Sequence, residues 1–283
     1  MGSKDRVMPC IDSNLDKSKK FFVDAFCGSG VVGVNVASYY SSVVLNDACW
    51  QMSETLNYFK KSDINDILES IDGVIKEFEL SKENKDGYDR LRDVYNAYYS
   101  QKESFQPVIF YCLITHAFNY NIHINKSGGF SVPFGKNRSS FNRSLRKKLM
   151  NFQTALSANK NKITVTTSSY KELLHTFEPY LKDCMVYLDP PYFSSDSSYG
   201  RIAYLGKWDE TKEKELCETL DYINEMGGSF LLSNVLKNNG KENEILKEWS
   251  SRYNVIDISA DYANCNYQRK NLGKTQEVLI RNY

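Results

Sequence analysis

Asp189-Pro190-Pro191-Tyr192 is the stretch of this chain with the clearest chemical content. The apolar run Met185-Val186-Tyr187-Leu188 leads into it and stops at the acid, which reads as a buried strand emptying into a rigid turn. Each proline has a fixed φ and no N–H. The turn therefore holds carbonyls and a carboxylate as acceptors, with few local donors to quench them. Tyr192 sets an aromatic face beside them. Rigid acceptors next to a ring suit a planar amino group, such as the exocyclic amine of a nucleobase. A plain strand-end turn with a surface acid would have the same local sequence, so the stretch alone decides nothing.

A second constellation lies upstream. Phe21-Phe22-Val23-Asp24-Ala25-Phe26-Cys27-Gly28-Ser29-Gly30 is an apolar strand running into a glycine turn, and a helix pattern follows from Val31 to about Tyr40. Gly28 and Gly30 permit a tight turn and close approach of a ligand to the backbone. The spacing is not that of a dinucleotide fingerprint. Val43-Val44-Leu45-Asn46-Asp47 then reads as a strand ending in an acid, where a carboxylate can take ribose hydroxyls.

Asp24-Ala25-Phe26-Cys27-Gly28-Ser29-Gly30 and Asp189-Pro190-Pro191-Tyr192 resemble the first and fourth motifs of the Dam-type, D12 class S-adenosylmethionine-dependent DNA adenine N6-methyltransferases. The likeness runs over nearly the whole chain. Gly2-Ser3-Lys4 resembles the end of the family's N-terminal motif, Phe130-Ser131-Val132-Pro133-Phe134-Gly135 its hairpin strand, and Ser169-Tyr170 the segment that covers the cofactor's adenine. Ser233-Asn234 and Glu277 to Tyr283 resemble the closing motifs.

The resemblance implies an α/β fold: a Rossmann-like methyltransferase sheet with an inserted, mostly helical target-recognition domain carrying a β-hairpin. Residues 1–50 and 163–283 would form the catalytic, S-adenosyl-L-methionine-binding domain, and residues 51–162 the target-recognition domain. The implied reaction moves a methyl group to N6 of an adenine flipped out of double-stranded DNA. Asp189, Pro190, Pro191 and Tyr192 would be catalytic, Asp189 and the Pro190 carbonyl each accepting an N6–H bond while Tyr192 stacks on the base. Lys4, Asp24, Phe26, Gly28, Gly30, Asp47, Ser169 and Tyr170 would surround the cofactor, with Asp47 on the ribose, Lys4 on the methionine carboxylate and Asp24 on the amino group. Asn119, His123 and Asn125 occupy the place of the base-reading hairpin. His123 stands where the family usually has Arg, and His makes one good bond to a guanine edge where Arg makes two. Lys136, Arg138, Arg143, Arg146 and Lys147 read as phosphate contacts. Cytosine N4 is also an exocyclic amine, and a relative that binds DNA without catalysis would share much of the pattern; both stay open here.

Composition bounds the rest. The chain has 283 residues, 41% hydrophobic, enough for one well-packed domain plus a subdomain. Aromatics reach 13%, which suits a protein that stacks on bases. No apolar stretch approaches the roughly 18 residues of a membrane span, and no basic-then-apolar leader is present, so a cytoplasmic enzyme is expected. The seven cysteines are scattered, without a CxxC pair or a cluster with the three histidines, so neither a disulfide framework nor a metal site is expected. Net charge is only +1, but its distribution is uneven. Between Glu103 and Glu172 there is no Asp or Glu, while ten Lys and Arg fall in that window. Such a wholly basic segment is the footprint of a polyanion-binding surface.

Along the chain, Ile64, Ile67, Leu68, Ile71 and Ile75 fall at helical spacing, as do Leu91, Val94, Tyr95 and Tyr98. Val108 to Ala117 is an apolar helix or buried segment, Gly128-Gly129 the turn of a hairpin, and Arg143 to Leu156 a basic amphipathic helix. Strands are expected at Ile163 to Thr166, Gly228 to Leu232, Val255 to Ile258 and Val278 to Ile280, and mobile polar stretches at Gly2 to Asp16 and Lys237 to Asn243.

Overall fold

The computed structural model describes residues 4–193, 202–238, 240–258 and 275–283; Gly2 and Ser3 lie outside them. The chain divides into two compact units. One holds the described residues of Gly2–Ala48, Asn161–Ser197 and Trp208–Tyr283, the other those of Cys49–Lys160 and Ser198–Lys207.

The first unit is built on one sheet of β1 (Phe21–Asp24), β2 (Ser42–Asn46), β3 (Ile163–Thr166), β4 (Cys184–Leu188), β5 (Ser229–Asn238), β6 (Lys241–Glu242), β7 (Asn254–Asp257) and β8 (Thr275–Arg281). The strand order is β3-β2-β1-β4-β5-β8-β7, with β6 pairing the end of β5. β3, β2, β1, β4 and β5 are parallel to their neighbours, and β8 lies antiparallel between β5 and β7. A central parallel strand is covered on both faces and so reads as a continuous apolar run, which is why β4 is buried at all five positions.

Among the described residues the helices are α1 (Met8–Ser13), α2 (Val31–Val36), α3 (Trp50–Lys61), α4 (Ile64–Glu77), α5 (Lys85–Val94), α6 (Pro107–His116), α7 (Arg143–Ala158), α8 (Tyr170–Phe177), α9 (Glu210–Glu225) and α10 (Glu244–Ser250). One face of the sheet, with Val23, Val186, Leu188, Phe230, Leu232 and Ile280, forms a core with Leu216, Leu220 and Ile223 of α9 and Leu246 and Trp249 of α10. From β1 the chain winds outward through β2 to β3. It then returns to place β4 on the other side of β1. The crevice at the carboxyl ends of β1 and β4 is thus a topological switch point, where open α/β sheets bind their ligands.

The second unit is mostly helical. Asp63, Asn84 and Asn142 cap α4, α5 and α7 through side-chain acceptors, and Pro107 opens α6. Ile67 and Ile71 of α4, Leu91 of α5 and Phe110 and Leu113 of α6 are fully buried, as the helical spacing of these apolar residues requires. α5 continues into a π-helical turn at Tyr95–Tyr99.

The hairpin expected around Gly128-Gly129 takes a looser form than a ladder. Its backbone pairing consists of isolated antiparallel bridges, Ala117 with Phe134 and Ile124 with Phe130. Asn119 and Tyr120 sit at φ 54° and 55°, which breaks an extended strand. Backbone N–H groups of Phe118, Asn125 and Ser131 donate across it to the carbonyls of Pro133, Gly129 and His123, and side chains add further bonds. Asn96 accepts from the Phe130 N–H at 2.7 Å and donates to the Phe130 carbonyl at 3.1 Å, and the Tyr88 hydroxyl donates to the Val132 carbonyl at 2.7 Å. Lys237 to Asn243, expected to be mobile, carries the β5–β6 pairing: Lys237 faces Glu242, and Asn243 caps α10. Alternation there was masked by polarity, because the pair forms at an exposed sheet end.

Candidate functional site

β4 ends at Leu188, and Asp189 follows at the switch point. Its Oδ1 lies 3.1 Å from Lys4 Nζ and accepts from the Tyr192 hydroxyl at 3.2 Å; Lys4 Nζ in turn donates to that hydroxyl at 2.5 Å. Burial pushes the Asp189 carboxyl above its ordinary value, and the Lys4 ammonium and the Tyr192 hydroxyl pull it back. Lys4, expected on a cofactor carboxylate, is 6% exposed and paired with Asp189. Pro190 is buried and Pro191 exposed, in the turn that follows.

β1 ends at Asp24. This carboxylate is 1% exposed; its Oδ2 accepts from the Gly33 N–H in α2 at 3.2 Å, and its Oδ1 has no hydrogen-bond partner among the described residues. Burial raises its pKa well above the ordinary value, backbone amides oppose this, and Asp189 and Asp47 add to it. Gly28 and Gly30 adopt φ of 50° and 72°, the left-handed region in which glycine is unstrained. A Cβ added at Gly28 would meet nothing within 4 Å, so the turn leaves open space over its backbone. Asp47 closes it from β2, its Oδ2 accepting from the Gly28 N–H at 2.9 Å.

Aromatic rings lie beside this turn. Phe26 is 5.1 Å from Tyr170 at an interplanar angle of 33°, and Trp208 lies 5.9 Å from Phe26 and 6.3 Å from Tyr170. Ser169 spends its side chain on a capping box with Glu172, which fixes the start of α8 and with it Tyr170. Trp208 escaped the sequence reading because no local pattern marks it. Its indole N–H donates to Glu213 Oε2 at 2.5 Å, and Glu213, fully buried, also accepts from Asn234 and Asn243. Asn46 was also missed. Fully buried at the end of β2, it donates to the carbonyls of Ala25 and Ser168 and accepts from the Thr166 hydroxyl and from the Ser168 N–H and hydroxyl. One amide thereby fixes the carboxyl ends of β1, β2 and β3.

The expected DNA-contact residues lie in the other unit. Lys136, Arg138, Arg143 and Lys147 are exposed. Arg146 is committed locally: its guanidinium bonds Asp72 of α4 and lies over the Phe141 ring. Asn125 is also committed, its Oδ1 accepting from the Ser127 N–H and hydroxyl and from the Gly129 N–H, so it closes the turn. Asn119 sits in the left-handed turn, and His123 is half-buried, its carbonyl accepting from the Ser131 N–H. Among the described residues no His/Cys/Asp/Glu group could hold a metal, and no helix is long and apolar enough to cross a membrane.

Asp24, Asp47 and Asp189 thus gather at the carboxyl ends of β1, β2 and β4, with a glycine turn after β1, Asp-Pro-Pro-Tyr after β4 and the rings of Phe26, Tyr170 and Trp208 close to one another. Residues 1–264 match the family described as D12 class N6 adenine-specific DNA methyltransferase, and the chain belongs to that family. It is 33% identical over 281 residues, 99% of its length, to Type II methyltransferase M.FokI of Planomicrobium okeanokoites, and 33% identical over 283 residues to Modification methylase StsI of Streptococcus sanguinis. It spans 41% of the length of each. Type II methyltransferase M.MjaIII of Methanocaldococcus jannaschii is 23% identical, matched over 96% of its own length.

Asn46→Ala should strand the groups that this amide satisfies at three strand ends. The expected loss is about 1–3 kcal/mol of unfolding free energy in a denaturant titration; a loss of only a few tenths would deny Asn46 its organising role.

Proposed function

We propose that this chain transfers the methyl group of S-adenosyl-L-methionine to N6 of adenine in double-stranded DNA, a modification activity of the kind its relatives' names state. The observation that carries the reading is the Asp189 carboxylate, set at the end of a buried strand, followed by two prolines that offer no N–H and flanked by Tyr192.

The residues fit the methyl donor. Asp24 Oδ1 is a buried acceptor without a hydrogen-bond partner among the described residues, suited to an ammonium group, and the space over Gly28 is open to a ligand. Asp47 at the end of β2 suits ribose hydroxyls, and Phe26, Tyr170 and Trp208 offer a ring-lined surface for a purine. When bound, S-adenosyl-L-methionine supplies an electrophilic methyl group on a sulfonium.

The chain's own work concerns the nucleophile. The lone pair of adenine N6 is delocalised into the ring. Asp189 accepts one N6–H and the Pro190 carbonyl the other, which localises that lone pair and aims it. Catalysis of this kind is positioning and electrostatic preorganisation. Tyr192 stacks on the extruded base. Base extrusion costs a few kcal/mol, and an aromatic stack returns about 1–3 kcal/mol of it. We assign the chemistry to residues 1–50 and 163–283 and target recognition to residues 51–162, with Lys136, Arg138, Arg143 and Lys147 contacting phosphates and His123 and Asn119 reading bases.

Asp189→Ala should lower the rate of labelled methyl transfer to duplex DNA by well over tenfold, a barrier rise above roughly 1.4 kcal/mol, with little change in cofactor and DNA binding. Retention of more than a tenth of the rate would remove Asp189 from its role.

Lys4 also sets a pH dependence. The acceptor must be ionised, burial raises the Asp189 pKa and Lys4 opposes that rise. Lys4→Met should therefore move the acid limb of the rate profile to higher pH, and Lys4→Arg should hold it near the wild-type position. An unmoved limb in Lys4→Met would show that the pair does not govern Asp189.

Salt titration separates the proposed DNA contacts. Lys147→Ala should weaken binding to all duplexes alike and flatten the slope of log affinity against log salt by up to about one unit. Arg146→Ala, whose guanidinium is already bound to Asp72, should change stability more than slope. His123 substitutions should reorder preference among duplex sequences; an unchanged order would place base reading elsewhere.

A further inference from the structure

Tyr187 is 1% exposed, and its hydroxyl has no hydrogen-bond partner among the described residues. It lies on β4 two residues before Asp189, so both side chains leave the strand on the same face. β1 and β4 are in parallel register with Tyr187 opposite Asp24, which sets the two residues beside each other on adjacent strands with their side chains on one face. The hydroxyl feels the charges of Asp189, Lys4 and Asp24. Two buried polar groups on adjacent strands, Tyr187 Oη and Asp24 Oδ1, thus both lack hydrogen-bond partners among the described residues. Leaving a buried polar group unsatisfied is costly, and a pair of them beside a reaction centre calls for one ligand group that serves both.

Its chemistry follows from the donors and acceptors. Asp24 Oδ1 can only accept unless protonated, so the ligand group must donate. A phenol both donates and accepts. Asp24 feels the carboxyl groups of Asp189 and Asp47, while Lys4 pairs with Asp189, so the charge near Asp24 favours an arriving cation. An α-ammonium carboxylate meets all of these: the ammonium donates to Asp24 Oδ1, and the carboxylate or the ammonium engages the phenol.

We propose that Tyr187, together with Asp24, binds the amino-acid end of the methyl donor and so fixes where the donor's sulfur lies relative to Asp189. This rests on the methyl-donor reading above. Tyr187 lies outside the Asp-Pro-Pro-Tyr turn, and in the sequence it passes for one more apolar strand residue.

Calorimetric titration with three probes tests the assignment. S-adenosyl-L-methionine and S-adenosylhomocysteine carry the amino-acid end, and 5′-methylthioadenosine lacks it. Tyr187→Phe should weaken the first two about tenfold and leave the third within twofold of wild type. The same variant without ligand should melt at or above the wild-type temperature, because it deletes a hydroxyl with no partner. The Tyr187→Phe loss should combine less than additively with that of Asp24→Asn, since both act on one ligand group. Unchanged affinity for S-adenosyl-L-methionine, an equal loss on all three probes, or a variant that fails to fold would each overturn the assignment. A wild-type chain that binds none of the three would overturn the methyl-donor reading, and this inference with it.

Discussion

The arrangement turns on the half-buried carboxylate of Asp189. Asp189 sits at the end of a strand buried at every position, and burial alone would drive it toward the neutral acid. Lys4 and Tyr192 oppose that drift, contacting its Oδ1 at 3.1 and 3.2 Å. A charged acceptor in a partly buried place would bond more strongly than the same group in water, because the surrounding dielectric is lower. The prolines after it add carbonyls without adding donors. β4 has to be central in the sheet for this to hold, and its central place is what forces the uninterrupted apolar run Cys184–Leu188.

Around that acceptor, buried amides and acids fix the geometry. Asn46 binds the ends of three strands. Asp47 holds the glycine turn at its left-handed residue, and Ser169 sets the first turn of α8 under Tyr170. Glu213 orients Trp208 against Phe26 while gathering Asn234 and the cap of α10. These groups are on different elements, so positional precision at the crevice is a property of the folded sheet and not of any one loop.

That division explains what could be read from the chain. Strands β1, β2 and β4 and helices α4 and α7 announce themselves, because burial on both faces or on one stripe leaves a periodic apolar signature. Asp24, Asp47, Asp189 and Tyr192 were legible as candidates because strand ends and glycine turns have local sequence marks. Trp208 and Asn46 were not, since their partners Glu213 and Ser168 are set by tertiary structure alone. Arg146 and Asn125 read as free contacts in a basic, polar window, yet Asp72 and the turn amides of Ser127 and Gly129 occupy them. The same polarity hid the β5–β6 pairing, and around Gly128 side-chain bonds from Asn96 and Tyr88 supplement an irregular backbone pairing.

If these acceptors act on the exocyclic amine of adenine, the identity of the methylated nucleoside must show it. Mixed-sequence duplex DNA would be incubated with the protein and isotopically labelled S-adenosyl-L-methionine, digested to nucleosides and resolved by mass spectrometry. Label is expected in N6-methyl-2′-deoxyadenosine, confined to adenines in one sequence context. Label in N4-methyl-2′-deoxycytidine, or a protein that binds the donor yet labels no DNA base, would contradict it.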